Sequence, residues 1–203
     1  MTLNPKELIK TCYSPSAKEP QIITIPPIKF LMIDGHGDPN TSPVYSTVIS
    51  ALYTMSYTIK FDLKKTGVED YKVFPLQGLW WSDNMDDFLL GNKDNWDWTM
   101  MMAQPDWVSV EQVEKALHKA SAKVEKSVLE KIRYETYDEG LVVQMMHIGP
   151  YSAEGPNIQR IHAFAQNHGY GLRGKHHEIY LGNPQRSAPE KLKTILRQPI
   201  QKV

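Results

Sequence analysis

Apolar and polar positions along this chain run twice through the same order: a short apolar run, a stretch of helical spacing, then two more strand-like runs. After a proline-flanked entry, Ile28 to Ile33 is almost wholly apolar and closes at the turn Gly35-His36-Gly37, which predicts a buried strand. Ser42 before Pro43 supplies an N-cap with proline at the first helical position. Val44, Val48, Leu52, Met55 and Ile59 recur at spacings of three and four, predicting an amphipathic helix to about Phe61, closed by Lys64 to Gly67. Tyr71 to Trp81 and Asp97 to Ala103 then read as strands, joined by a polar loop from Asp83 to Asp94.

A linking helix follows. Ser109 and Gln112 form a capping-box pattern, and Val110, Val113, Ala116, Leu117, Ala120 and Val124 draw one narrow apolar stripe opposite a face of lysine and glutamate. The second round opens with a strand over Leu141 to Ile148, ending at Gly149-Pro150. Ile158, Ile161, Ala165 and His168 space a helix that Gly169 can end in a left-handed cap, and His176 to Gly182 and Leu192 to Arg197 are the closing strands. The expected fold class is therefore α+β: tandem duplicated strand-helix-strand-strand modules with antiparallel sheets and a ligand cleft, since sites often form where such modules meet. Residues 1–24 read as an N-terminal extension, followed by a domain over 25–203. Within it, module one covers about 25–107, the linking helix about 109–130 and module two about 131–203.

Charge narrows the partners. Lysine plus arginine and aspartate plus glutamate number 23 each, and no basic cluster stands out, so direct nucleic-acid binding is not expected. Residues 1–20 lack the apolar core of a signal peptide, and no apolar run approaches the roughly 18 residues that span a bilayer, so a cytoplasmic protein without a membrane partner is expected. The single cysteine, Cys12, can form no internal disulfide, lies outside the repeated region and is expected at the surface or in disordered chain. His176 and His177 are neighbours and point apart on a strand, and no helical histidine pair has chelating spacing, so no metal and no cofactor is expected. The sequence leaves the oligomeric state open.

The aromatic content changes the picture. Five tryptophans and ten tyrosines are present, with Trp80, Trp81, Trp96 and Trp98 close together and Met100, Met101 and Met102 just beyond. Such side chains offer broad, polarizable surface, suited to a core or to a pocket for flat organic ligands.

Specific segments resemble a known family. Ile33-Asp34-Gly35 through Pro39, Tyr57-Thr58-Ile59-Lys60 and Pro75-Leu76-Gln77-Gly78-Leu79-Trp80-Trp81 resemble the first module of GyrI-like small-molecule-binding proteins. Gly149-Pro150-Tyr151, His177-Glu178-Ile179-Tyr180-Leu181 and the tail from Pro189 to Pro199 resemble the second. The resemblance implies the multidrug-sensor effector-binding fold, and it covers nearly everything from about residue 25 onward. The family includes ligand-sensing domains of bacterial transcription activators, gyrase-modulating proteins and stand-alone members. The tryptophan-rich first module is similar to stand-alone cyclopropanoid cyclopropyl hydrolases, which open the strained cyclopropane of DNA-alkylating natural products and so confer genotoxin resistance. No DNA-binding helix-turn-helix precedes the module, so a binder or hydrolase is expected over a regulator.

Candidate chemistry follows from these positions. Glu178 and Tyr180 alternate onto one face of a strand, with His177 and Ile179 on the other. A carboxylate on an aromatic cleft face is partly desolvated and can serve as a base or attract cations; a salt-bridged surface residue is the plainer alternative. For cyclopropane hydrolysis Glu178 would activate water, Tyr57 or Tyr180 would meet the developing oxyanion, and Gln77 would hold the water. Several tryptophan-bearing relatives carry glutamate at the position of Gln77, and a neutral amide cannot act as base. Trp80, Trp98, Met100, Tyr180, His36 and Tyr151 complete the candidate ligand contacts; the tryptophans and Met100 are equally open to a core reading. Non-catalytic ligand binding and gyrase modulation are the alternative functions.

Overall fold

A computed structural model describes residues 5–67, 70–83 and 93–203, so most of the loop expected over Asp83–Asp94 lies outside the described residues. The chain divides into two compact units. Unit one is built chiefly from Ile28–Leu76 and Trp81–Tyr137, and unit two from Lys6–Pro27, Gln77–Trp80 and Asp138–Val203. The architecture is α+β with antiparallel strand pairing, as the repeated pattern predicts.

In unit one, strand β2 (Ile28–His36) is flanked by β4 (Asp97–Gln104) and β5 (Arg133–Tyr137), both antiparallel to it. Helix α2 (Pro43–Lys65) covers this sheet through Val48, Ala51, Leu52, Met55, Ile59 and Leu63. It runs one turn beyond the expected end at Phe61, because Leu63 continues the apolar spacing from Ile59 and Lys64 pairs with Asp70 at 2.9 Å. Ser42 is the N-cap residue, but its side chain makes no cap bond; instead its backbone N–H donates to the Asp38 carbonyl at 2.9 Å. Helix α3 (Val110–Ala120) carries the predicted capping box in full, with Gln112 N–H donating to Ser109 Oγ at 3.3 Å and Ser109 N–H to Gln112 Oε1 at 2.8 Å. A short helix, α4 (Lys126–Leu129), leads on to β5.

Unit two holds β6 (Gly140–Ile148), β8 (His176–Tyr180) and β9 (Lys193–Lys202), with β9 between the other two and β7 (Tyr170–Leu172) also on β9. Strand β3 (Leu76–Trp81) pairs with β8; its expected start at Tyr71 is too early, since Pro75 offers no amide proton for a ladder. Helix α5 (Gly155–Asn167) packs Ile161 and Ala165 against Val143, Met145 and Leu196, and Gly169 follows it at φ 78°.

The segment Lys6–Pro27, before the repeated pattern, belongs to unit two. Helix α1 (Pro5–Cys12) buries Leu8 and Cys12, the latter only 2% exposed, so the surface placement expected for Cys12 is corrected. Strand β1 (Gln21–Ile25) pairs with β6. The two outer strands thus trade places along the chain. β1 runs into β2 through Pro26-Pro27 yet bonds to β6, whereas β5 runs into β6 yet bonds to β2. No helix among the described residues is long and apolar enough to cross a membrane.

Candidate functional site

Strand β8 sorts its side chains by parity, and the register with β3 and β9 propagates the sorting. On one face Glu178 stands opposite Gly78 and Leu196, and Tyr180 opposite Thr194; on the other His177 stands opposite Leu79 and Arg197. The two faces carry different chemistry.

On the first face Tyr180 donates its hydroxyl proton to Glu178 Oε2 at 2.7 Å, and Trp80 donates its indole N–H to the Tyr180 oxygen at 3.0 Å. His176 Nε2 lies 3.6 Å from the other carboxylate oxygen, Oε1. Tyr151 meets the Tyr180 ring edge-to-face, with centroids 5.6 Å apart. Glu178 keeps 14% of its side-chain surface exposed while His176 keeps 2%, so the carboxylate is mostly buried but still reaches solvent. His162 on α5 is held down to about 4 by burial, with His176 pushing the same way. Strand parity alone puts Glu178 and Tyr180 on one face, and it puts His176 on that face as well.

The second face is closed. Glu139, in the turn before β6, accepts from His177 Nδ1 at 2.8 Å and from Arg197 at 3.0 Å. Arg197 also donates to Gln144 and to the Cys12 carbonyl, and His177 Nε2 lies 3.0 Å from the Gln77 amide, whose other end is 2.9 Å from the Tyr13 hydroxyl. All of these side chains are at most 4% exposed. Burial opposes the charge of Glu139, but His177 and Arg197 outweigh it and hold its pKa down to about 2. Burial lowers His177 against the pull of Glu139, and burial pushes Tyr13 up to about 12. A neutral His177 that donates from Nδ1 presents a bare Nε2, so the Gln77 amide must turn its nitrogen to His177 and accept the Tyr13 proton on its oxygen. The Glu139 carboxylate and the Arg197 guanidinium then balance each other's charge.

The structure therefore brings together Glu178, Tyr180, Trp80 and Tyr151 among the sequence candidates. Gln77 it places behind them, on the opposite face, bound to His177 and Tyr13. The remaining candidates belong to unit one. Trp98 and Met100 have no exposed surface; Trp98 packs edge-to-face on Tyr45 and lies over Gly35, where an added Cβ would stand 2.0 Å from its ring. These two are core residues. His36 is a surface residue, its Nδ1 2.8 Å from Asp97. Tyr57 stacks between Tyr53 and Phe61 on the outer side of α2, in a groove of about 480 Å³ that Lys123 also lines.

The model of the GyrI-like small molecule binding domain matches residues 18–201. A conserved protein of Listeria innocua, of uncharacterized role, is 38% identical, with a TM-score of 0.88 over 97% of this chain and 98% of its own. A hydrolase from Listeria innocua is 36% identical, with a TM-score of 0.82 over 97% and 98% of the two chains. Another, the hydrolase encoded by lin2189 of Listeria innocua, is 36% identical with a TM-score of 0.84 over 99% and 100%. No curated protein matches.

Proposed function

Since the chain belongs to the GyrI-like small-molecule-binding family, we propose that it binds flat aromatic or apolar compounds against the Glu178 face and hydrolyses an electrophilic cyclopropane in them. The observation that carries this reading is a partly exposed carboxylate set among Tyr180, Trp80 and Tyr151. Tyr180 holds Oε2, so Oε1, with His176 Nε2 at 3.6 Å, is the oxygen that would address a water. In a spirocyclopropane dienone the water oxygen bonds to a ring CH₂, and the cyclopropane C–C bond breaks. Its electron pair enters the dienone, which becomes an aromatic phenolate. Glu178 takes the proton lost by the water and releases it to solvent, and the phenolate takes one from solvent, so the net change is the addition of one water. Strain relief and aromatisation drive the step, so positioning is the main demand on the protein. The description of two similar Listeria innocua proteins as hydrolases supports a hydrolytic reaction, and the biological outcome would be detoxification of DNA-alkylating natural products.

The family's small-molecule-binding character favours a second reading, in which the same face sequesters a ligand without turning it over. Incubation with a spirocyclopropane dienone separates the two. Saturable loss of dienone absorbance above the buffer rate, with a product heavier by one water, is the expected result. Saturable binding with no product would retire the hydrolase reading and leave the binding one.

A further inference from the structure

We infer that Trp80 is a positioning residue, whose indole N–H sets the direction of the Tyr180 hydroxyl and through it the orientation of Glu178. The inference rests on Glu178 being the working carboxylate. Trp80 is 4% exposed, so it offers a ligand almost no surface and is poorly suited to be a pocket wall. Its polar atom, in contrast, is committed to the site at 3.0 Å.

The register explains how the contact arises. Trp80 stands opposite His176 on β8, and Gly78 stands opposite Glu178. Trp80 and Tyr180 are therefore too far apart along the strands to be direct cross-strand neighbours. Their long side chains meet by leaning towards one another over the Gly78–Glu178 pair. Gly78 brings no side chain to that spot, which leaves it open for the contact.

The order of donors gives the contact its consequence. A phenol has one proton, and Tyr180 gives it to Glu178 Oε2 at 2.7 Å. An indole can only donate, so Trp80 excludes the alternative in which Tyr180 turns its proton towards β3. Accepting from Trp80 also polarises the phenol and strengthens its own donation. The chain runs one way, Trp80 to Tyr180 to Glu178.

Two readouts on the full chain test this. The five tryptophans give separate indole N–H resonances, and Trp80→Phe identifies its own by deletion. Tyr180→Phe is expected to move that resonance upfield and leave the others in place. On the dienone substrate, Trp80→Phe and Tyr180→Phe are each expected to lower kcat about tenfold with KM within about twofold. The double variant should match Tyr180→Phe alone, because Trp80 has nothing left to act through. If Trp80→Phe folds poorly, Trp80→benzothienylalanine keeps the bicyclic shape and removes only the N–H. An unmoved indole resonance, or single effects that multiply in the double variant, would overturn the inference. Glu178→Gln guards the premise. If that variant keeps wild-type turnover, or the wild type has none, the hydrolase reading fails instead. The indole resonance then still decides the contact, and the same cycle read on calorimetric Kd decides its consequence.

Discussion

His177 and Glu178 are chain neighbours on one strand, yet they sit in opposite kinds of polar environment. His177 faces a closed network in which Glu139, Arg197, Gln77 and Tyr13 satisfy one another out of water. Glu178 faces an open cluster, with one oxygen held and surface left exposed. A closed buried network contributes structure, because any unmatched group in it carries the full cost of desolvation. An open one can exchange partners, which binding and catalysis require. The difference teaches that polarity alone does not mark a site; on this sheet the mark is polarity with an unfilled side.

The largest effect expected of this contrast is on stability. Glu139→Gln leaves the Arg197 cation buried without its counter-charge, which should cost about 3–5 kcal/mol in urea unfolding. A loss below about 1 kcal/mol would mean that the second face is open to water after all. Glu178→Gln should do the reverse. Turnover of the dienone is expected to fall about 100-fold or more, roughly 2.7 kcal/mol, while ligand Kd and the melting temperature hold. Unchanged rates would remove Glu178 from the chemistry.

Gln77→Glu sharpens the comparison from behind. A carboxylate at this position lies on the His177 side of the sheet, away from Glu178, so turnover should stay within about threefold of the parent. Its effect should appear at His177 instead, which would stand between two carboxylates and become imidazolium. A rise of the His177 pKa above its ordinary value, about 6.5, is expected by nitrogen-15 NMR titration. A large gain in turnover without that rise would place the residue at position 77 in the reaction.

Much of this was legible in the sequence, and what was not has a common cause. The spacing of Val48, Leu52, Met55 and Ile59 marks the buried side of α2, and Ser109 with Gln112 announces α3, because both patterns are local. The sharing of a face by Glu178 and Tyr180 follows from strand parity alone. Gln77 could not be placed in the same way. Its face is set by pairing with a strand 100 residues away, and one step of parity separates the Glu178 face from the closed network. The roles of Cys12 and Tyr13 likewise depend on Arg197 and Gln77, far along the chain. Strands β1 and β5 are short and bond to partners other than the strands they lead into, so local order pointed away from their pairing.

The smallest expected effect is the pH dependence of stability, and it separates the histidines from the carboxylates. His177 and His162 both have folded pKa values below the ordinary value, the second about 4, because burial disfavours the imidazolium. Below about pH 6.5 the unfolded chain therefore takes up protons that the folded chain refuses, and stability falls with the pH. Glu139 contributes in a lower window: its stabilisation is complete above the ordinary carboxylate range and is lost as the pH drops towards about 2. Between pH 7.5 and 5.5 only the histidine part operates, and with His162 partly open to solvent the loss should be about 1 kcal/mol. In Gln77→Glu the His177 share should vanish, since its imidazolium would already be present in the folded state. Urea midpoints at the two pH values in both proteins would show it. An equal acid loss in the two would mean that His177 is not the neutral link of the closed face, and the contrast between the faces would rest on Glu139 and Arg197 alone.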